Sequence, residues 1–226
     1  LSHRKGATAH LRNGFRWLEG AGLASRRTTH PSGGTRLAWP QTLACKRQMP
    51  LRKAHLRFTL NESTGGVLHC FVLDCSASML HGERLALAKG MLVACFDHAA
   101  AVGAEVALIC FGGIRADLRF GPAVPRWWNE RWLVPVSGGG ATPLAHGMET
   151  AARLLASRRR RKPGQQRVLW LITDGRTHER PARPPAADDI VLVDCERDVP
   201  ALGRCAQLAR EWGAVYTRPE DMIVQT

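Results

Sequence analysis

The chain reads as an α/β protein: a doubly wound, mostly parallel sheet with helices on both faces and one antiparallel edge strand. Three observations predict this. From residue 67 onward, short apolar runs alternate with helical patterns. The runs VLHCFVL from Val67, EVALICF from Glu105 and RVLWLIT from Arg167 are apolar almost throughout, as strands covered on both faces are. Polar or glycine residues follow each run at once (Asp74, then Gly112-Gly113, then Asp174-Gly175), and in such sheets ligands bind beyond the carboxyl ends of strands.

Taken in order, residues 1–36 are basic and rich in Gly, Ser and Thr, with a breaker at His30-Pro31-Ser32-Gly33-Gly34. They predict a flexible N-terminal segment. His3, His10 and His30 are irregularly spaced and read as surface residues. Residues 37–66 form a lead-in in which Leu37, Trp39, Leu43, Leu51 and Leu56 mix with basic residues, and the alternation from His55 to Leu60 predicts a strand. The main domain spans 67–226. After its first strand, Leu85, Ala88, Leu92, Cys95 and Phe96 recur at helical spacing and predict a helix from about Glu83 to Ala101, stopped by Gly103. Glu105–Phe111 is a buried strand, and Ile114–Phe120 alternates as a half-exposed edge strand. Pro122 and Pro125 open a segment with Trp127, Trp128 and Trp132, whose rings suit a binding platform but read more simply as a short helix packed on the sheet. Gly138-Gly139-Gly140 permits close backbone approach. Pro143 then suits a helix start, with the helix running from Leu144 to Ser157. Arg158–Gln166 is expected as an exposed basic loop. Arg167–Thr173 and Ile190–Val193 are further parallel strands, Ala201–Trp212 a helix, and Ala214–Thr217 a last strand.

With 226 residues, 45% of them apolar, the chain suits one domain with appended segments. No apolar run approaches the roughly 20 residues that span a membrane, and no signal pattern opens the chain. The seven cysteines form no CxxC pair. They predict free, mostly buried thiols in a reducing cytoplasm, and exclude a zinc site or disulfide framework. The net charge of +13 suggests an acidic partner, nucleic acid or a membrane surface. No zinc-finger, helix-turn-helix or ribonucleoprotein signature accompanies it, so neither specific nucleic acid nor membrane is expected.

The chemistry concentrates in Asp74, Ser76 and Ser78. Oxygen-bearing side chains at alternate positions beyond a strand can turn toward one point. They suit Mg²⁺, Mn²⁺ or Ca²⁺ rather than zinc. The same residues also suit a polar loop capping a helix. Thr142 and Asp174 follow other elements at the same edge of the sheet and favour the metal reading.

DCSAS (74–78), GGGATP (138–143) and TDG (173–175), in that order, resemble the von Willebrand factor A fold, a Rossmann-like fold, and its metal-ion-dependent adhesion site DxSxS…T…D. A narrower resemblance covers roughly residues 36–218. Thr42-Leu43 with Gln48, Ala88-Lys89-Gly90, the run from Val106 to Gly113, Thr142-Pro143-Leu144-Ala145 and the run from Leu171 to Arg176 resemble the D subunit of magnesium chelatase and the related cobalt chelatase. The chain departs from that family in carrying Cys75 for Ala, Ala77 for Gly, and Ala141 as an extra residue. It has no GxxxxGK[ST] loop, AAA+ module or acidic Pro-rich linker, so a stand-alone form of the integrin-like half is expected.

The resemblance implies Mg²⁺, or Mn²⁺, held directly by Ser76, Ser78 and Thr142 and through waters by Asp74 and Asp174. A partner's carboxylate would complete the coordination. Arg176, Arg180, Arg183 and the basic loop would attract that partner. The implied role is a non-catalytic accessory subunit of an ATP-dependent chelatase inserting Mg²⁺ or Co²⁺ into a tetrapyrrole of the chlorophyll or cobalamin type. Its partners would be an AAA+ motor subunit and a large catalytic subunit. Competing readings are an adaptor of a MoxR-type AAA+ chaperone, a basic nucleic-acid-binding protein, and a metal-dependent phosphoesterase. The last lacks a second metal cluster and a base, since His81 and His178 read as surface residues.

Overall fold

The computed structural model describes residues 65–127 and 143–222, and the backbone of 36–37 and 58–59. Strands β1 (Arg36–Leu37) and β2 (Phe58–Thr59) pair antiparallel, and β2 lies within the alternating run His55–Leu60. The main sheet contains β3 (Val67–Asp74), β4 (Glu105–Gly112), β5 (Arg115–Ala123), β6 (Gln166–Thr173), β7 (Asp189–Asp194) and β8 (Val215–Thr217). The helices are α1 (Ala77–Leu80), α2 (Arg84–Val102), α3 (Leu144–Arg161), α4 (Arg204–Trp212) and α5 (Pro219–Met222).

The strand order is β5-β4-β3-β6-β7-β8. Every neighbouring pair is parallel except β4 with β5. This is the predicted mostly parallel sheet with an antiparallel edge strand. The chain leaves β3 toward β4 and β5, then returns to lay β6 on the other side of β3. The order therefore reverses between β3 and β6, the place where open α/β sheets form a crevice. Leu73 pairs with Ile172, so Asp74 ends β3 beside Thr173 and Asp174.

Side chains alternate across the sheet with period two. Phe71, Leu73, Leu108, Trp170, Ile172 and Val193 face one layer, where α2 lays down Leu85, Ala88, Leu92, Cys95 and Phe96. Cys70, Val72, Ile109, Leu169, Leu171 and Leu192 face the other, against Leu144, Met148, Ala151 and Leu155 of α3 and Cys205 and Ala209 of α4. Two buried layers on one sheet explain why the central strands read as continuous apolar runs. Each fully buried Leu, Ile or Phe contributes about 1.5–3 kcal/mol. An aromatic seam runs through the first layer, with Phe71 at 5.5 Å from Trp170 and 5.9 Å from Phe96 between ring centroids. The indole N–H of Trp170 donates to His69 Nδ1 at 3.2 Å, so its polar end is paired.

Four expectations are corrected. Arg158–Arg161 is the last turn of α3, not a loop. Arginine is a good helix former, and cations suit a helix C-terminus. Arg158 also pairs with Glu105, which Lys162 reaches at 2.8 Å. Strand β5 continues to Ala123 through Pro122, which an edge strand tolerates because no ladder bond is lost. Trp127 is 91% exposed rather than packed, while Trp128 and Trp132 lie outside the described residues. Finally, α2 is long and apolar enough to cross a membrane by length and composition; here its buried stripe packs on the sheet.

Candidate metal-binding loop

The site grows from the end of β3. Asp74 is fully buried. Its Oδ1 accepts the Ser76 N–H at 2.8 Å, turning the chain, and its Oδ2 accepts the Thr173 hydroxyl at 2.6 Å. Thr173 Oγ1 in turn accepts the Gly175 N–H at 3.1 Å, which ties the ends of β3 and β6 together. Ser76 is the N-cap residue of α1 and makes no side-chain capping bond. Its hydroxyl lies 3.1 Å from that of Ser78. The hydroxyl is thus turned toward its neighbour in the loop rather than used to cap the helix.

Asp174 is also buried. Its Oδ1 accepts the Arg176 N–H at 3.1 Å. Gly175 has φ +69°, and a Cβ there would lie 2.9 Å from Cys205 Sγ, so this turn requires glycine. Burial pushes the Asp74 carboxyl up to about 6, and the charge of Asp174 adds to the rise, against hydrogen bonds from Thr173 and Ser76. Two buried carboxylates and two hydroxyls at the carboxyl ends of β3 and β6 form an oxygen-only set whose chemistry fits a hard divalent cation. Among the described residues no cluster of three or more His, Cys, Asp or Glu side chains is placed to hold a metal, so any ion here would depend on the hydroxyls. Thr142 and the three glycines before it lie outside the described residues.

Cys75 points away from this set. Its N–H donates to Phe111 O at 2.7 Å, and its side chain lies in the core. None of the six described cysteines forms a disulfide and all are buried, and burial pushes the Cys70 and Cys95 thiols up to about 12.

The three arginines expected to meet a partner separate. Arg176 is exposed and pairs with Asp198 at 2.7 Å. Arg180 lines a cavity of about 130 Å³ with Thr173, Gly175, His178 and Cys205. Arg183 is not brought to the site. Its Nε donates to Trp212 O at 3.2 Å, at the end of α4 opposite to Cys205, whose thiol reaches Thr173 O at 3.7 Å. His81 Nδ1 lies 2.7 Å from Ala77 O, within its own turn.

Sequence reasoning missed Thr173, Arg84 and Asp198. Arg84 opens α2 and is 8% exposed. Its Nη1 donates to Asp174 Oδ2 at 3.3 Å and Ser78 O at 3.1 Å, and its Nη2 to Asp198 Oδ2 at 2.7 Å. Against a desolvation that raises it, hydrogen bonds and charges from Arg84 and Arg176 hold the Asp198 carboxyl below its usual range. One signal was present: a cation at a helix N-terminus opposes the macrodipole, so nearby carboxylates had to be holding it.

A family model described as the von Willebrand factor type A domain matches residues 70–176, a span that includes all five predicted metal ligands. An uncharacterized protein of Mycobacterium tuberculosis is 33% identical over 178 residues, 74% of this chain and 28% of that protein. The magnesium-chelatase 60 kDa subunit of Rhodobacter capsulatus is 36% identical over 106 residues, 47% of this chain and 18% of that subunit. The magnesium-chelatase 67 kDa subunit of Chlorobaculum parvum is 32% identical over 144 residues, 63% of this chain and 23% of that subunit. The chain therefore spans between 18% and 28% of the length of these relatives. Among solved structures, the D319A mutant of the PilB minor pilin from Streptococcus sanguinis superposes with a TM-score of 0.51 at 10% identity, covering 74% of this chain and 61% of that one. That likeness bears on the fold alone.

Proposed function

Residues 70–176 are a von Willebrand factor type A domain with magnesium-chelatase subunits among its relatives, and on that premise we propose that the chain is a metal-dependent adhesion module of a chelatase-type, ATP-driven assembly. Asp74, Ser76, Ser78, Thr142 and Asp174 would hold Mg²⁺ or Mn²⁺. Bound there, the ion would supply one open position for a partner's carboxylate. The partners would be an AAA+ motor subunit and, through it, a large subunit that inserts Mg²⁺ or Co²⁺ into a tetrapyrrole substrate. The module itself performs no chemistry on that substrate.

One observation carries the reading: the bond network that joins Asp74, Ser76 and Thr173 and sets Asp174 beside them at the switch point of the sheet. Thr173 fixes the orientation of Asp74. The Ser76 and Ser78 hydroxyls stand together beyond it. Arg176 supplies positive charge at the rim, which speeds encounter with an acidic partner.

The test is a pull-down against a chelatase-type AAA+ subunit with ATP, with and without EDTA, alongside Asp74→Ala. Binding that needs Mg²⁺ and is lost in the variant is expected. Capture that survives both EDTA and Asp74→Ala would overturn the adhesive role.

A further inference from the structure

The residue that distinguishes this site is a buried cation. Arg84 sits at the first position of α2, after Glu83 with φ 61°. A guanidinium there opposes the helix dipole and gives up most of its hydration. Its Nε is buried and has no hydrogen-bond partner among the described residues. Packing alone does not account for a charge kept in such a place. What holds it is the pair of carboxylates on either side: Asp174 Oδ2 at 3.3 Å and Asp198 Oδ2 at 2.7 Å. The same Nη1 that reaches Asp174 also donates to the carbonyl of Ser78 at 3.1 Å. Arg84 thus spans α1, the end of β6 and the loop after β7. Arg176 closes the chain of charges on Asp198.

We propose that Arg84 is a positioning residue that adds one positive charge behind the loaded site, and so raises its demand for a partner's carboxylate. This rests on the adhesion reading above. Arg84 and Arg176 face Asp174 and Asp198 directly, while Asp74 and Asp194 stand close to Asp174, all three acting on Cys195. With a divalent ion present, removing Arg84 lowers the net charge around that ion by one unit, and the ion would gain less from a further anion. Arg84 therefore acts on two equilibria with opposite sign. It weakens binding of the cation, whose charge it repels, and strengthens capture of an external carboxylate. It also acts from behind Asp174, without occupying a place in the ligand set.

The experiment uses the ion and a simple carboxylate, so no partner need be known. Mn²⁺ affinity is read from the free-ion signal in electron paramagnetic resonance. Acetate affinity for the Mn²⁺-loaded protein is read from water-proton relaxation, with circular dichroism to verify folding. Removing one unit charge at this range predicts that Arg84→Met binds Mn²⁺ about tenfold more tightly and acetate about tenfold more weakly. Arg84→Lys, which keeps the charge, should stay near the wild type in both. Asp198→Asn removes a negative charge from the partly exposed end of the chain and predicts the reverse: weaker Mn²⁺ and tighter acetate. Variants in which both affinities move in the same direction, or Asp198→Asn behaving like Arg84→Met, would overturn the assignment while leaving the adhesion reading intact. Wild-type protein whose Mn²⁺ binding is absent, or indifferent to Asp74→Ala, would overturn both.

Discussion

Thr173 and His69 show how single side chains set the conditions under which the sheet holds together. The Thr173 hydroxyl is buried and donates to Asp74. Thr173→Val keeps the shape and removes the donor, leaving a buried carboxylate short of a partner. Denaturant unfolding without metal should show a loss of about 1–3 kcal/mol. His69 works at the other end of β3. Its Nδ1 accepts the Trp170 N–H, which requires the neutral ring. Burial, helped by the charge of His98, lowers it to about 4. A histidine lowered in the folded state takes up its proton first in the unfolded chain. Unfolding free energy should therefore fall as pH drops from about 6.5 toward 4 and level off below. His69→Phe should flatten that limb in a pH series of melting curves; an unchanged slope would remove His69 as its source.

At the scale of elements, the arginine run illustrates a helix end held by tertiary charge. Desolvation works against Glu105, but hydrogen bonds from Lys162 and Gln165 and the charge of Arg158 hold its carboxyl below its ordinary value. These contacts pin the last turn of α3 to the start of β4. Both Arg158 and Glu105 are largely covered, at 14% and 19% side-chain exposure, so the pair should exceed an ordinary surface bridge. A double-mutant cycle with Arg158→Ala and Glu105→Gln should give a coupling of about 1 kcal/mol. Because the Glu105 value is lowered on folding, that coupling is present above the unfolded value of about 4.3 and is lost as pH falls through the folded one. A coupling of zero at neutral pH would make the run an ordinary solvated helix end.

At the scale of the whole molecule, the carboxyl edge of the sheet collects exposed apolar side chains beside the charged site. Leu80 on α1 is 57% exposed, and Val199 and Leu202 in the loop after β7 are 97% and 52% exposed. The Arg84 bridge from Ser78 O to Asp198 brings these two loops together. A protein partner would bury such a rim around its anchoring carboxylate. Val199→Ser with Leu202→Ser, which changes no charge, should weaken capture by the proposed AAA+ partner at least tenfold, a loss of about 1.4 kcal/mol, while leaving Mn²⁺ affinity near that of the wild type. Equal capture by this variant would place the contact elsewhere.

The order of elements and the Asp74-Ser76-Ser78 loop were legible in the residues because both are local. A strand buried on two faces has to be apolar along its length, and a polar triplet just past it has few uses. Asp174 was legible for the same reason, at the end of a second such strand. The arginine run was misread because composition reports charge but not the distant carboxylate that holds it. The place of Arg183 was not legible, because closeness in sequence to Asp174 does not show which end of α4 the loop meets. Thr173 and Arg84 escaped notice because their partners lie 99 and 90 positions away along the chain. Local pattern carried the architecture and the donor atoms. The counter-charge on those donors came from strand order and helix placement, since electrostatic partners are chosen by distance in space.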